Sequence, residues 1–172
     1  MYDKLKTYRS IRKYKETPVE KEKLEEIIRA ALIAPSSRNI KPWEFIVVKD
    51  KKVLGAISKS KVHGASFAKD VPVAFVVIAD PQKCDVWIED CSIAAYAIQL
   101  AARSLGLGSC WIQTRLREKD DAVSSQEYLK DLLGIPEKYV VECVVTIGYA
   151  DEAKAEYSEK DMDFKKVHYD FY

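Results

Sequence analysis

Three short groups of residues carry the binding chemistry of this chain. A basic amino segment holds Arg9, Ser10 and Arg12. The connection Pro35-Ser36-Ser37-Arg38-Asn39-Ile40-Lys41-Pro42-Trp43-Glu44-Phe45 sets two hydroxyls and an amide between prolines. Gly106-Leu107-Gly108-Ser109-Cys110-Trp111-Ile112 leads from spaced glycines into an apolar run. Arginine's planar fork donates two hydrogen bonds together to a phosphate, glycine lets backbone approach something flat or bulky, and loops on a rigid scaffold are common places for binding groups. Together these groups suit a phosphorylated aromatic cofactor. Each also has a plainer reading: a solvated basic arm, a rigid helix-to-strand connector, and a tight helix-to-strand turn. The connector reading leaves Asn39 and Trp43 without a task.

Groups that would do chemistry unaided are missing. The chain has no G-x-S-x-G nucleophile turn, no H-E-x-x-H, no Walker loop and no G-x-G-x-x-G dinucleotide fingerprint. Cys110 has an apolar neighbourhood and no nearby histidine to activate it, so a structural thiol is the simpler reading. The four cysteines, Cys84, Cys91, Cys110 and Cys143, form no C-x-x-C pair, and only His63 and His168 are available to join them around a metal. No metal site is expected, the thiols are read as reduced, and His63 as an exposed loop residue. If a cofactor carries the reaction, the absent acid, base and nucleophile are not needed.

At 172 residues the chain is expected to form a single domain over 1–172. Hydrophobic residues at 48%, charged residues at 32% and a formal charge of +1 place it among ordinary globular proteins, with no general affinity for nucleic acid or membrane. Basic residues concentrate at the start, where Lys4, Lys6, Arg9, Arg12, Lys13 and Lys15 face a single acid, Asp3. Those charges run into Tyr8 and Ser10 rather than an apolar h-region. The longest apolar run, Val71 to Ala79, is too short to cross a bilayer. A soluble, cytoplasmic protein is expected.

The elements that must position the three groups follow from periodicity. Thr17-Pro18-Val19-Glu20 reads as a helix start with a capping threonine, and Leu24, Ile27, Ile28 and Ala31 give that helix one apolar stripe ending at Pro35. Trp43–Val48 reads as a buried strand, and Asp50 as the cap of a short helix carrying Val53, Leu54 and Ile57. Ser58 to Lys69 reads as a polar, mobile connection, and Val71 to Ala79 as a second buried strand with Pro72 at its start. The longest helix carries Trp87, Cys91, Ala94, Ala95, Ile98, Ala102 and Leu105. It lacks charge between Cys91 and Ala102, which predicts burial all round, with its small-residue face open to a second subunit. Gly106 stops it. A short helix at Tyr128 to Leu133 and a central strand at Tyr139 to Tyr149 follow. Phe164, Val167, Tyr169, Phe171 and Tyr172 at the end suggest an extended tail that docks on a partner subunit.

Arg9-Ser10-Ile11-Arg12-Lys13-Tyr14, the connection from Pro35 to Phe45, Gly106 to Trp111, and the closing Val167-His168-Tyr169-Asp170 together resemble, in order, the FMN-dependent nitroreductase family. The resemblance implies an α+β fold with a central mixed, largely antiparallel sheet flanked by helices, and an intertwined homodimer with two FMN sites at its interface. It implies that Arg9, Ser10 and Arg12 of one subunit bind FMN, with Arg12 at the N1 and C2 carbonyl edge. Ser36, Ser37 and Asn39 of the other subunit reach the same FMN, the backbone at Cys110, Trp111 and Ile112 lies along the ring, and Lys160 meets the phosphate. It departs from the family where many members have a second Arg at Tyr8 and a Gln at Lys41. The implied activity is ping-pong hydride transfer from NAD(P)H through flavin N5 to nitroaromatics, quinones or similar small aromatic acceptors. Residues choosing NADH or NADPH would lie in 58–69 and 115–126. Other readings are a flavin-binding sensor or storage protein, a related flavoenzyme such as a dehalogenase or flavin-fragmenting enzyme, and a cofactor-free interaction module.

Overall fold

A computed structural model describes residues 2–172. In chain order the elements are α1 (Tyr2–Lys6), α2 (Lys21–Leu32), β1 (Trp43–Val48), α3 (Lys51–Ile57), β2 (Val73–Ala79), α4 (Trp87–Ser104), β3 (Gly108–Gln113), α5 (Ser125–Leu133) and β4 (Val140–Gly148), with short 3-10 turns between and after them. The strands form one sheet in the order β1-β2-β4-β3, every pair antiparallel. Among the described residues, the one parallel contact is a bridge from Ser10 of the amino segment to Ser109 at the start of β3.

The sheet separates two cores. On one face α2 and α4 bury Ile27, Ala31, Ala94 and Ile98 against Phe75 and Val77. On the other, Leu54 and Ile57 of α3 and Leu129 of α5 pack against Val76, Val144 and Ile112. β2, covered on both faces, is a continuous apolar run, and β4 is nearly so, broken by the buried Glu142 and Thr146. Asp50 caps α3 by accepting from the backbone N–H of Lys52 and Val53, as its sequence suggests.

Five expectations need correction. α2 begins after Glu20 rather than Thr17, and no side chain caps it. Val19 is buried in the core, and Glu20 is drawn to Tyr149, whose hydroxyl donates to it at 2.7 Å, so the chain stays extended up to Glu20. β1 is an edge strand, with Trp43 and Val48 buried and Glu44 exposed. The 58–69 connection is tucked against α3: Ser60, Ala65 and Ala68 are buried, and 66–70 forms a 3-10 turn. α4 is not covered all round, since Ile93 and Tyr96 are each 43% exposed. α5 starts at Ser125, three residues early, because Ser124 and Glu127 form a reciprocal capping box.

Beyond Tyr149 the chain forms no strand, and Phe164, Tyr169, Phe171 and Tyr172 are all exposed. The cysteines are free and buried, and the described residues contain no cluster able to hold a metal. No described helix is long and apolar enough to cross a membrane.

Candidate functional site

The amino segment is fastened to one end of the sheet as an extended arm. Ile11 N donates to Ser109 O at 2.9 Å, Lys15 N to Tyr149 O at 2.9 Å, and Asp151 N to Lys13 O at 2.9 Å. Ile11 and Tyr14 anchor the arm: both are buried, and the Tyr14 hydroxyl pairs with that of Thr146 at 2.9 Å. Gly108 is needed here because a Cβ on it would stand 2.8 Å from Ile11 Cγ1. Its close approach is therefore to the chain's own arm.

With Ile11 and Tyr14 turned inward, Arg12 is left exposed and Arg9 half-buried. The Arg9 guanidinium lies 4.7 Å from the centroid of the Tyr157 ring and donates to Ala155 O. It lines a cavity of about 220 Å³ between the arm, the end of α4 and the segment after β4, which Arg103 and Lys154 also line. Lys160 is exposed on the 3-10 turn 159–161, outside this lining. Glu152 accepts from Arg12 N at 2.5 Å and Lys13 N at 3.2 Å, and these N–H groups hold its carboxyl below the ordinary glutamate range. The cavity thus gathers the cations Arg9, Arg103 and Lys154, the groups that could meet an anion, together with the Glu152 carboxylate, which occupies the Arg12 and Lys13 N–H groups.

β3 is the other edge of the sheet, so past the Ser10 bridge one side of Cys110, Trp111 and Ile112 pairs with no strand. Cys110 is buried, and burial pushes its thiol above the ordinary range despite the opposing pull of Arg12 and a hydrogen bond from Ser10. That is a structural thiol, as the sequence indicates.

The connection after α2 is a strained loop. Arg38, Asn39 and Lys41 have φ of 52°, 55° and 51°, in the left-handed region that costs a side-chain-bearing residue about 1–3 kcal/mol. Lys41 N donates to Ser36 Oγ at 3.0 Å, Asn39 N to Ser36 O at 3.1 Å, and Ser37 N to Asp90 Oδ1 at 2.8 Å, while Arg38 pairs with Asp85. The loop therefore rests on the first turns of α4.

The arm meets the other end of the same helix, where Arg103 Nε donates to Thr7 Oγ1 at 3.1 Å. At 1.5 Å per residue, the span from Asp90 to Arg103 separates the two attachments by about 20 Å. The structure thus brings Arg9, Ser10 and Arg12 together with the start of β3, and Ser36, Ser37 and Asn39 with α4, at opposite ends of one helix. Sequence reasoning missed Arg103, Lys154 and Asp90. The adjacent acids Glu89 and Asp90, at the mouth of a helical stretch uncharged from Cys91 to Ala102, were the available signal for Asp90.

Four antiparallel strands between two pairs of helices, with a cationic arm along one end and a strained loop beside a long apolar helix, define a nitroreductase-like α+β protein. The nitroreductase family model matches residues 5–63 and 57–149. An Archaeoglobus fulgidus protein described as a candidate NADH dehydrogenase/NAD(P)H nitroreductase is 41% identical over 159 residues, 90% of this chain and 88% of that protein. The solved structure of an FMN-dependent nitroreductase from Clostridium difficile R20291 is 53% identical with a TM-score of 0.99, covering 100% of both chains. An iodotyrosine deiodinase from Thermotoga neapolitana is 25% identical over 94% of this chain and 95% of its own. The chain belongs to the nitroreductase family.

Proposed function

We propose that the protein is an FMN-dependent NAD(P)H oxidoreductase that works as a homodimer, reducing nitroaromatics, quinones or similar small acceptors. The observation that carries this reading is that the two candidate binding groups are attached at opposite ends of α4, at points about 20 Å apart along it. A single protomer does not bring them to one flavin ring, whereas a second copy, facing the first, supplies the loop to the partner's arm.

The donor set fits FMN. Arg9 and Ser10, with Lys154 on the same cavity, would hold the phosphate, and Lys160, outside that lining, is the further cation that the family resemblance assigns to it. Arg12, exposed on the arm, would meet the N1 and C2 carbonyl edge, where a cation would offset the negative charge of the reduced ring. The free edge of β3 at Cys110, Trp111 and Ile112 offers backbone groups to the ring, and Ser36, Ser37 and Asn39 of the other protomer complete the site. FMN held by these residues would supply the redox chemistry, two-electron transfer from NAD(P)H to the acceptor in alternating half-reactions. The chain's own residues bind, orient and tune; none is needed as acid, base or nucleophile.

The visible absorbance of the purified protein, before and after anaerobic NADH or NADPH, tests this. The expected result is a yellow protein that bleaches with a nicotinamide donor and recovers its colour with a nitroaromatic or quinone. A protein that stays colourless after soaking in FMN would overturn the site, and one that is yellow but never bleaches would make it a non-enzymatic flavin binder. The deiodinase relative supports a second reading, reductive dehalogenation, which release of iodide from iodotyrosine under the same reductant would distinguish.

A further inference from the structure

We propose that Asp90 is a positioning residue that sets the Ser36–Asn39 loop in its flavin-binding shape from the first turn of α4. The inference rests on the flavin reading above and adds a residue to it.

The loop is strained at Arg38, Asn39 and Lys41, so something must hold it against relaxation. Three side chains do so. Ser36 Oγ accepts from Lys41 N within the loop itself and adds no link to the rest of the fold. Arg38 pairs with Asp85, but these side chains are 62% and 77% exposed, and exposed ion pairs fix little. Asp90 is different. It is only 2% exposed, its Oδ1 accepts from Ser37 N at 2.8 Å, and its Oδ2 accepts from the buried Cys84 thiol at 3.3 Å. Asp90 is the buried carboxylate that bonds the loop backbone to the scaffold; the buried Cys84 thiol it holds also lies 3.9 Å from Arg38 Nη2, a weaker link to the loop. The bond falls on Ser37, the second of the two hydroxyl-bearing residues and immediately before the left-handed pair Arg38 and Asn39. An unmade bond there would leave the Ser37 N–H without its acceptor and free the loop to leave its strained geometry.

Two pairs of variants test the role. Asp90→Ala removes the acceptor, while Asp90→Asn keeps an oxygen for Ser37 N–H. Ser37→Pro removes the donor, and Ser36, at φ −143° and ψ 158°, already has the extended backbone that a following proline demands. Ser37→Ala loses the hydroxyl but keeps the N–H. FMN affinity is measured by quenching of flavin fluorescence during titration into apo-protein, with far-UV circular dichroism and Tm recorded alongside. Asp90→Ala is expected to weaken FMN binding about tenfold with wild-type secondary structure, Asp90→Asn to restore most of it, and Ser37→Pro to bind about tenfold more weakly than Ser37→Ala. The Asp90→Ala/Ser37→Pro double variant should be no worse than either single change.

A folded Asp90→Ala protein with wild-type FMN affinity would overturn the proposal while leaving the flavin reading intact, as would additive losses in the double variant. A lowered Tm with unchanged affinity would reduce Asp90 to a stabilising residue and overturn it equally. If Asp90→Ala does not fold, equal affinities in the two Ser37 variants overturn it instead. Wild-type protein that takes up no FMN would bring down the flavin reading and this role together.

Discussion

A single buried carboxyl shows how far one residue can set the behaviour of this sheet. Glu142 is 3% exposed, and its Oε2 has no hydrogen-bond partner. It sits where β4 slips in register against β2: Val77 faces Cys143 and Ile78 faces Val141, leaving Glu142 as the extra residue of a bulge. Burial raises its carboxyl above the ordinary glutamate range, with Arg115 pulling the other way and Glu89 adding to the rise. A carboxyl that holds its proton more tightly folded than unfolded makes stability fall as pH rises from the ordinary glutamate range, about pH 4, through the raised value. Glu142→Gln keeps the shape and removes the charge. Urea denaturation from pH 4 to 8 should show the variant more stable than wild type at neutral pH, with that part of the pH slope gone; parallel profiles would mean that Glu142 finds a partner.

At the scale of elements, the arm is held by close packing as much as by hydrogen bonds. Gly148, the last residue of β4, faces both the arm and the residue before β2. A Cβ on it would stand 2.6 Å from Pro72 Cδ and 2.9 Å from Tyr14 Cδ1. Pro72 is a rigid ring and Tyr14 is buried and hydrogen-bonded, so neither yields easily. Gly148→Ala is expected to cost about 1–3 kcal/mol in urea denaturation through overpacking. It should also loosen the arm and weaken FMN binding. Unchanged stability would show that the arm has room to shift.

For the whole molecule, what is left uncovered matters most. Ile93 and Tyr96 on α4 are open in the single chain, and so are Phe164, Val167, Tyr169 and Phe171 of the tail. Burying an apolar side chain of this size is worth about 1.5–3 kcal/mol before the cost of association, so a tail of several such residues could contribute to anchoring a second copy. On the proposed homodimer, a chain ending at Asp163 should run as a monomer by light scattering at micromolar concentration, where the full chain runs as a dimer, and should bind FMN poorly because the arm would lack the partner's loop. A truncated protein that remains dimeric would place the interface on α4 alone.

The sequence by itself determined the features written in local patterns. Apolar periodicity marks β2, β4 and α4, Asp50 announces its cap, and the spacing of Arg9, Ser10, Arg12, Ser36, Ser37 and Asn39 carries the family resemblance. These depend on neighbours a few residues apart. Only the tertiary structure decided where α2 starts, because Thr17 is a sound local cap that loses to Val19 burial and to a bond between Glu20 and Tyr149, 129 residues away. It alone decided that β1 lies at an edge, that Gly108 makes room for Ile11, and that Arg103 and Lys154 join Arg9 around one cavity. Asp90 and Glu142 read as unremarkable acids until the fold buries them. Periodicity tells which face of an element is apolar; which partner meets that face is settled by contacts between residues far apart in the chain.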